Sequence, residues 1–183
     1  MKINFKTCTE EQLWKYVATH LKDKGIDTVL VGGAVVSIYS EGAYKSGDLD
    51  FVLTSLFVEG LPEAMKEIGF VKKGGRHFVH PECKHLHIEF PSSGVLEIGE
   101  DNNIKPAEVE CEGLKIKILS PTDCVKDRLA SYIHFKAREC LDQAVLVGKK
   151  HPVKLEAIKK WCKNENAEWA FKDFLAKLKG IKA

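Results

Sequence analysis

The sequence predicts an α/β body followed by a C-terminal helical annex, with the boundary near Leu119. Strand-like and helix-like segments mingle through the first two thirds, and only the helical period continues beyond that point. With 183 residues, 44% of them hydrophobic and 30% charged, the chain can bury a core without disulfides or a structural metal. Residues 1–119 are expected to form the α/β part and residues 120–183 the helical part.

Thr9-Glu10-Glu11-Gln12 is a capping box, behind which Leu13, Tyr16, Val17 and Leu21 fall at helical spacing until Gly25 stops the helix. Residues 28–31 read as a short apolar strand running straight into Gly32-Gly33. A short helix over 34–40, a loop over 41–47 and a strand over 48–53 follow. Residues 62–68 read as a helix ended by Gly69. Segments 70–71 and 77–79 flank Lys72-Lys73-Gly74-Gly75 as the arms of a hairpin would. Residues 84–90 alternate polar and apolar and stop at Pro91, and segments 109–111 and 114–119 flank Glu112-Gly113 as a second hairpin. Ser120 then stands as a cap before Pro121 at the first helical position, with Asp123 in the first turn. Helices are expected over 123–132, 137–147, 152–162 and 167–178.

No apolar run approaches the ~20 residues of a membrane span, and the first residues, MKINFKTCTEEQLW, lack the apolar core of a signal peptide. Six cysteines at positions 8, 83, 111, 124, 140 and 162 are scattered without a C-x-x-C pair, which reads as reduced thiols in a cytoplasmic protein. The net charge of +2 conceals an asymmetry. Residues 149–183 carry ten Lys against four acids, while the preceding part is net acidic. Such a tail suits a solvated helix face or a contact to RNA.

Chemistry concentrates in Val29-Leu-Val-Gly-Gly-Ala-Val-Val-Ser37 and Ser46-Gly-Asp-Leu-Asp-Phe-Val52. A strand ending in Gly-Gly before a helix offers bare backbone N–H groups to a phosphate. Side chains alternate along a strand, so Asp48 and Asp50 share one face while Leu49, Phe51 and Leu53 take the other. Two carboxylates ~7 Å apart repel unless a cation lies between them, and oxygen ligands suit Mg²⁺. In Lys84-His-Leu-His-Ile-Glu-Phe90 the same alternation separates His85, His87 and Glu89 from Leu86, Ile88 and Phe90. If this strand lies beside 48–53 with apolar faces aligned, Glu89 joins the two aspartates as a metal ligand or as a proton acceptor.

A Gly-Gly, a spacer, an Asp-x-Asp with apolar flanks and a later lone acid resemble the DNA polymerase β-like nucleotidyltransferase superfamily. The resemblance covers residues 29–90. It implies a nucleotidyltransferase-like mixed β-sheet flanked by helices, of the α/β (α+β) class, and Mg²⁺- or Mn²⁺-dependent transfer of a nucleotidyl group from an NTP. On that pattern Gly32 and Gly33 hold the triphosphate, and Asp48, Asp50 and Glu89 are the catalytic, metal-binding carboxylates. Two departures stand out. The tRNA-terminus-adding branch continues with Arg-Asp where this chain has Val36-Ser37. Many small members also place Ser directly after the first Gly; position 33 is Gly here, and Ser37 is the substitute one helical turn on. Farther along, Leu119-Ser-Pro-Thr-Asp-Cys-Val-Lys126 and Arg138-Glu-Cys-Leu-Asp142 resemble small AbiEii-type and MNT-like nucleotidyltransferases. That likeness implies a nucleotide-facing role for Lys126 and Asp142, and a toxin-type enzyme acting on tRNA or protein. From the residues alone, Arg138 and Asp142 are equally an i, i+4 surface pair.

Two competing readings follow. His77, His80, Cys83, His85 and His87 form a cluster of zinc-type ligands, though at none of the standard closed-site spacings; His85 or His87 otherwise sit to tune Glu89 or touch nucleotide. The alternative function is a catalytically idle module of the same fold that binds RNA or a protein partner through the basic helices of 149–183. Among acceptors, a tRNA, a protein and a small molecule all fit the same donor chemistry.

Overall fold

A computed structural model of the chain describes residues 2–180 apart from 92, 93 and 95. The N-terminal helix α1 (Glu10–Asp23) opens on the capping box: Thr9 Oγ1 accepts from the Gln12 amide at 3.2 Å, and the Gln12 side chain accepts from the Thr9 amide at 3.0 Å. After it come β1 (Thr28–Val31), α2 (Gly33–Tyr39), β2 (Asp48–Leu53), α3 (Leu61–Glu67), β3 (Val71–Gly74), β4 (His77–His80), β5 (Cys83–Glu89), β6 (Ala107–Cys111) and β7 (Leu114–Ile118). Four helices close the chain: α4 (Pro121–Phe135), α5 (Arg138–Lys150), α6 (Leu155–Asn164) and α7 (Glu168–Leu178). The expected Ser120 cap is present, its hydroxyl accepting from the Asp123 amide at 3.2 Å.

The seven strands form one mixed sheet in the order β3-β4-β5-β2-β1-β7-β6. The pairs β2–β5 and β1–β7 are parallel; the other four are antiparallel. The apolar face carries Leu30 beside Phe51 and Leu49 beside Ile88, all fully buried, with Phe90 stacked on Phe51 at 5.7 Å between centroids. Helix α1 packs on β1 and β7, and α2 on β1 and β2.

The first hairpin turns later than expected. Lys72, Lys73 and Gly74 belong to β3, and the reversal falls at Gly75-Arg76, where Gly75 takes φ 47°. As the outermost strand β3 is exposed along its length, Val71 included, so it pairs with no buried apolar side chain to announce it.

The core runs continuously across residue 119. One cluster joins Trp14, Leu30 and Phe51 of the α/β part to Leu129, Leu141, Trp161 and Phe174 of the last helices. Polar ties cross the same line: His151 Nε2 lies 2.8 Å from the Tyr39 carbonyl oxygen, and Trp161 Nε1 donates to the Ile98 carbonyl at 2.9 Å.

Candidate active site

The three carboxylates are assembled by strand register. Because β2 and β5 run parallel with Asp48 beside His87 and Asp50 beside Glu89, laterally paired side chains leave the sheet on the same side. Asp48, Asp50 and Glu89 therefore share one half-buried face. On the other flank Val31 sits opposite Asp50, which brings the Gly32-Gly33 turn to the same end of the sheet.

Charge on this face is poorly balanced. Burial first, then the charges of Asp48 and Glu89, push the Asp50 carboxyl up to about 7, against the opposing guanidinium of Arg128. Asp50 also lies against Gly32, where an added Cβ would overlap its carboxylate and where φ 76° already favours glycine. The need for glycine at 32 is thus a need to seat Asp50.

Gly33 answers to a different neighbour. A Cβ there would come within 2.8 Å of Ser46 Oγ and 3.4 Å of Tyr44 Oη. Ser46 donates its hydroxyl to Asp48 Oδ1 at 2.8 Å, and its own amide donates to the buried Glu10 carboxylate at 2.9 Å. Ser46 thus occupies the space a serine at 33 would need. Ser37, expected as the substitute, lies buried at the fifth position of α2, with its carbonyl receiving Ser40 Oγ–H and the Gly42 amide. Ser46 was findable in sequence as the hydroxyl two residues before Asp48 on the same strand line.

The two C-terminal residues assigned to the nucleotide both carry ion pairs. The Lys126 side chain is 10% exposed and bonded at 3.0 Å to both Asp101 and Asp123, so two of its three donors are taken by carboxylates. Burial works against its charge, but the two carboxylates outweigh burial and hold the ammonium above its ordinary range. Asp142 is exposed and pairs with Lys177 of α7, not with Arg138. The α4 cation that does act on the carboxylate face is Arg128, which is bonded to Asp127 and, through Nη1 at 3.3 Å, to Gln143.

The histidines divide into three environments. His80 is structural: it stacks on Phe5 at 3.6 Å, accepts from the Glu82 amide, and burial lowers its pKa. His77 Nδ1 lies 2.8 Å from Glu89 Oε1, and His87 Nε2 lies 3.7 Å from the same oxygen. His85 turns away toward Cys8. Arg76 is exposed in the turn.

The donor chemistry of Asp48, Asp50 and Glu89 fits an oxygen-seeking divalent cation. Oxygen ligands share one face, the Asp50 carboxyl being raised first by burial and then by the charges of Asp48 and Glu89, and a cation between them relieves that repulsion; their oxygens do not all fall within 4.8 Å of one another.

No protein-family model matches the sequence, and no curated protein sequence matches it. Solved structures do match. The antibiotic-resistance factor ANT(2'')-Ia is similar with a TM-score of 0.59 at 11% identity, over 88% of this chain and 92% of that one. An antigenic nucleotidyltransferase-like protein from Paracoccidioides brasiliensis is similar with a TM-score of 0.58 at 12% identity, over 90% and 92%. The fold is a nucleotidyltransferase-like mixed α/β fold. At such identity the likeness concerns the path of the chain; the chemistry has to be argued from the residues.

Proposed function

We propose that the chain is a metal-dependent nucleotidyltransferase of the DNA polymerase β-like superfamily, moving a nucleotidyl group from an NTP to an acceptor hydroxyl. The observation that carries this reading is the register that sets Asp50 beside Glu89, two residues from Asp48, at the end of the sheet where the Gly32-Gly33 turn opens. Asp48, Asp50 and Glu89 hold Mg²⁺ or Mn²⁺, which when bound offsets the charge of the triphosphate and of the departing pyrophosphate. Gly32 and Gly33 let the phosphates approach the backbone. Arg128 supplies fixed positive charge behind Asp50. Ser46, anchored by Glu10, orients Asp48. Glu89, bonded to His77, takes the proton of the attacking hydroxyl as the new O–P bond forms and the bond to pyrophosphate breaks.

The acceptor is a hydroxyl of a tRNA, a protein or a small molecule, since all three draw on the same donor chemistry. The AbiEii-type, toxin-like refinement rests on the short resemblances at 119–126 and 138–142. The ion pairs of Lys126 and Asp142 lend it no support.

The test is incubation of the purified chain with Mg²⁺ or Mn²⁺, each labelled NTP and a panel of the three acceptor classes. Label transfer by the wild type and its loss in Asp48→Ala/Asp50→Ala is the expected result. Undiminished transfer by that double variant would overturn the assignment.

A further inference from the structure

At the start of β5, the strand that also carries Glu89, two cysteines and a histidine meet with the geometry of a metal site. Cys8 ends the N-terminal segment just ahead of the α1 cap, and Cys83 and His85 lie two residues apart on one face of β5. We propose that Cys8, Cys83 and His85 bind a single thiophilic divalent cation of the Zn²⁺ kind, which fastens the N-terminal segment to β5. The proposal is independent of nucleotidyl transfer.

Three observations support it. The Cys8 and Cys83 sulfurs are 3.9 Å apart, close to the ~3.8 Å edge of a tetrahedron with metal–sulfur bonds of ~2.3 Å. His85 Nδ1 lies 4.0 Å from Cys83 Sγ, and the ligand atoms of all three residues fall within 4.8 Å of one another. His85 Nε2, finally, lies 2.8 Å from the Cys8 carbonyl oxygen. A carbonyl only accepts, so Nε2 carries the proton and Nδ1 turns its lone pair toward the sulfurs. Metal-binding histidines are held in this way, the second ring nitrogen donating to a backbone carbonyl or carboxylate.

The surroundings allow loading. Both sulfurs are buried, but His85 is exposed and borders a cleft lined by Thr7, Glu10 and Ser46, which leaves a fourth position open. His85 precedes Glu89 by four strand residues, or ~13 Å, and lies two residues before His87, the neighbour of Asp48, so this group adjoins the carboxylates and is set apart from them by its sulfur ligands. His77, His87 and Glu89 form the other group of ligand atoms within 4.8 Å among the described residues, and it contains no sulfur. A disulfide is the competing use of the two thiols. It needs the sulfurs to close from 3.9 Å to ~2.05 Å, and it leaves the oriented His85 nitrogen without a role.

Cobalt(II) titration of the full, reduced, metal-stripped chain separates these outcomes. The expected result is a thiolate-to-cobalt charge-transfer absorption that saturates at one equivalent and is bleached by Zn²⁺. Cys8→Ser should remove most of that absorption. His85→Gln, at an exposed position, should stay folded by circular dichroism and weaken cobalt binding by at least ~10-fold. His77→Ala/His87→Ala should leave the absorption intact. Absence of the band in folded wild type, its survival at full strength in Cys8→Ser, or thiol titration showing Cys8 and Cys83 joined as a disulfide would each overturn the proposal. Loss of the band in His77→Ala/His87→Ala would do so as well.

Discussion

Asp50 is a half-buried carboxylate that feels the charges of Asp48 and Glu89, with the Arg128 guanidinium in opposition. Its folded pKa of about 7 lies above the ordinary carboxylate value. Between those two pH values the native state keeps a proton that the unfolded chain has released. Without a divalent cation, stability should therefore fall as pH rises from ~4 toward 7. Asp50→Asn should flatten that dependence and stabilise the metal-free protein at pH 8 by on the order of 1–3 kcal/mol, while abolishing transfer. Urea denaturation in EDTA at pH 5 and pH 8 measures it, and identical pH dependence in variant and wild type would refute the account. Gly33 offers a second test at this scale. Gly33→Ser should destabilise by about 1–3 kcal/mol through overpacking against Ser46 Oγ. Combining it with Ser46→Gly should recover at least ~1 kcal/mol of that loss, a coupling that a double-mutant cycle reads directly. Simple additivity would mean that the two residues do not compete for one space.

Elements differ in how openly their sequences declare them. The α1 capping box and the Ser120-Pro121 start of α4 are local hydrogen-bonding devices, complete within four residues, and both formed as read. The alternation of β5 was equally plain, because a strand with one buried face must alternate. The β3 turn was not legible, since the exposed Lys72-Lys73-Gly74 end of an outermost strand looks like a loop until a partner pairs with it. The ion pair of Lys126 was not legible for a related reason: its partner Asp101 lies 25 residues away, in the turn closed by the Ile98–Asp101 bridge. Helix α4 is thereby clasped to that turn. Lys126→Met should lower stability by ~2–4 kcal/mol, because Asp101 and Asp123 lose their shared cation. KM for the NTP should stay unchanged. A raised KM with unaltered denaturation midpoint would return Lys126 to the nucleotide.

At the scale of the whole molecule, the core shared across residue 119 makes a prediction about cooperativity. Trp14 in α1 and Trp161 in α6 lie in the same buried cluster. Unfolding followed by tryptophan fluorescence and by far-UV circular dichroism should therefore coincide in one transition. Two separated transitions would show that the α/β part and the last helices are independent units. The lysine-rich part pairs both with the body and within the last helices, Lys150 being bonded to Glu41 and Lys177 to Asp142 of α5. If the rest meets RNA, log affinity should fall linearly with log salt.

The sequence by itself determined the class of fold, the shared strand face of Asp48 and Asp50, and the uneven charge between an acidic body and a basic C-terminal part. These follow from period, alternation and composition, which are local properties of the chain. Only the tertiary structure decided which hydroxyl stands beside Gly33, which α4 cation reaches Asp50, and how five clustered zinc-type ligands divide among three environments. Each of those outcomes depends on strand register or on contacts between residues far apart in sequence. Cys8 and Cys83, 75 positions apart, meet only because the segment before α1 crosses β5.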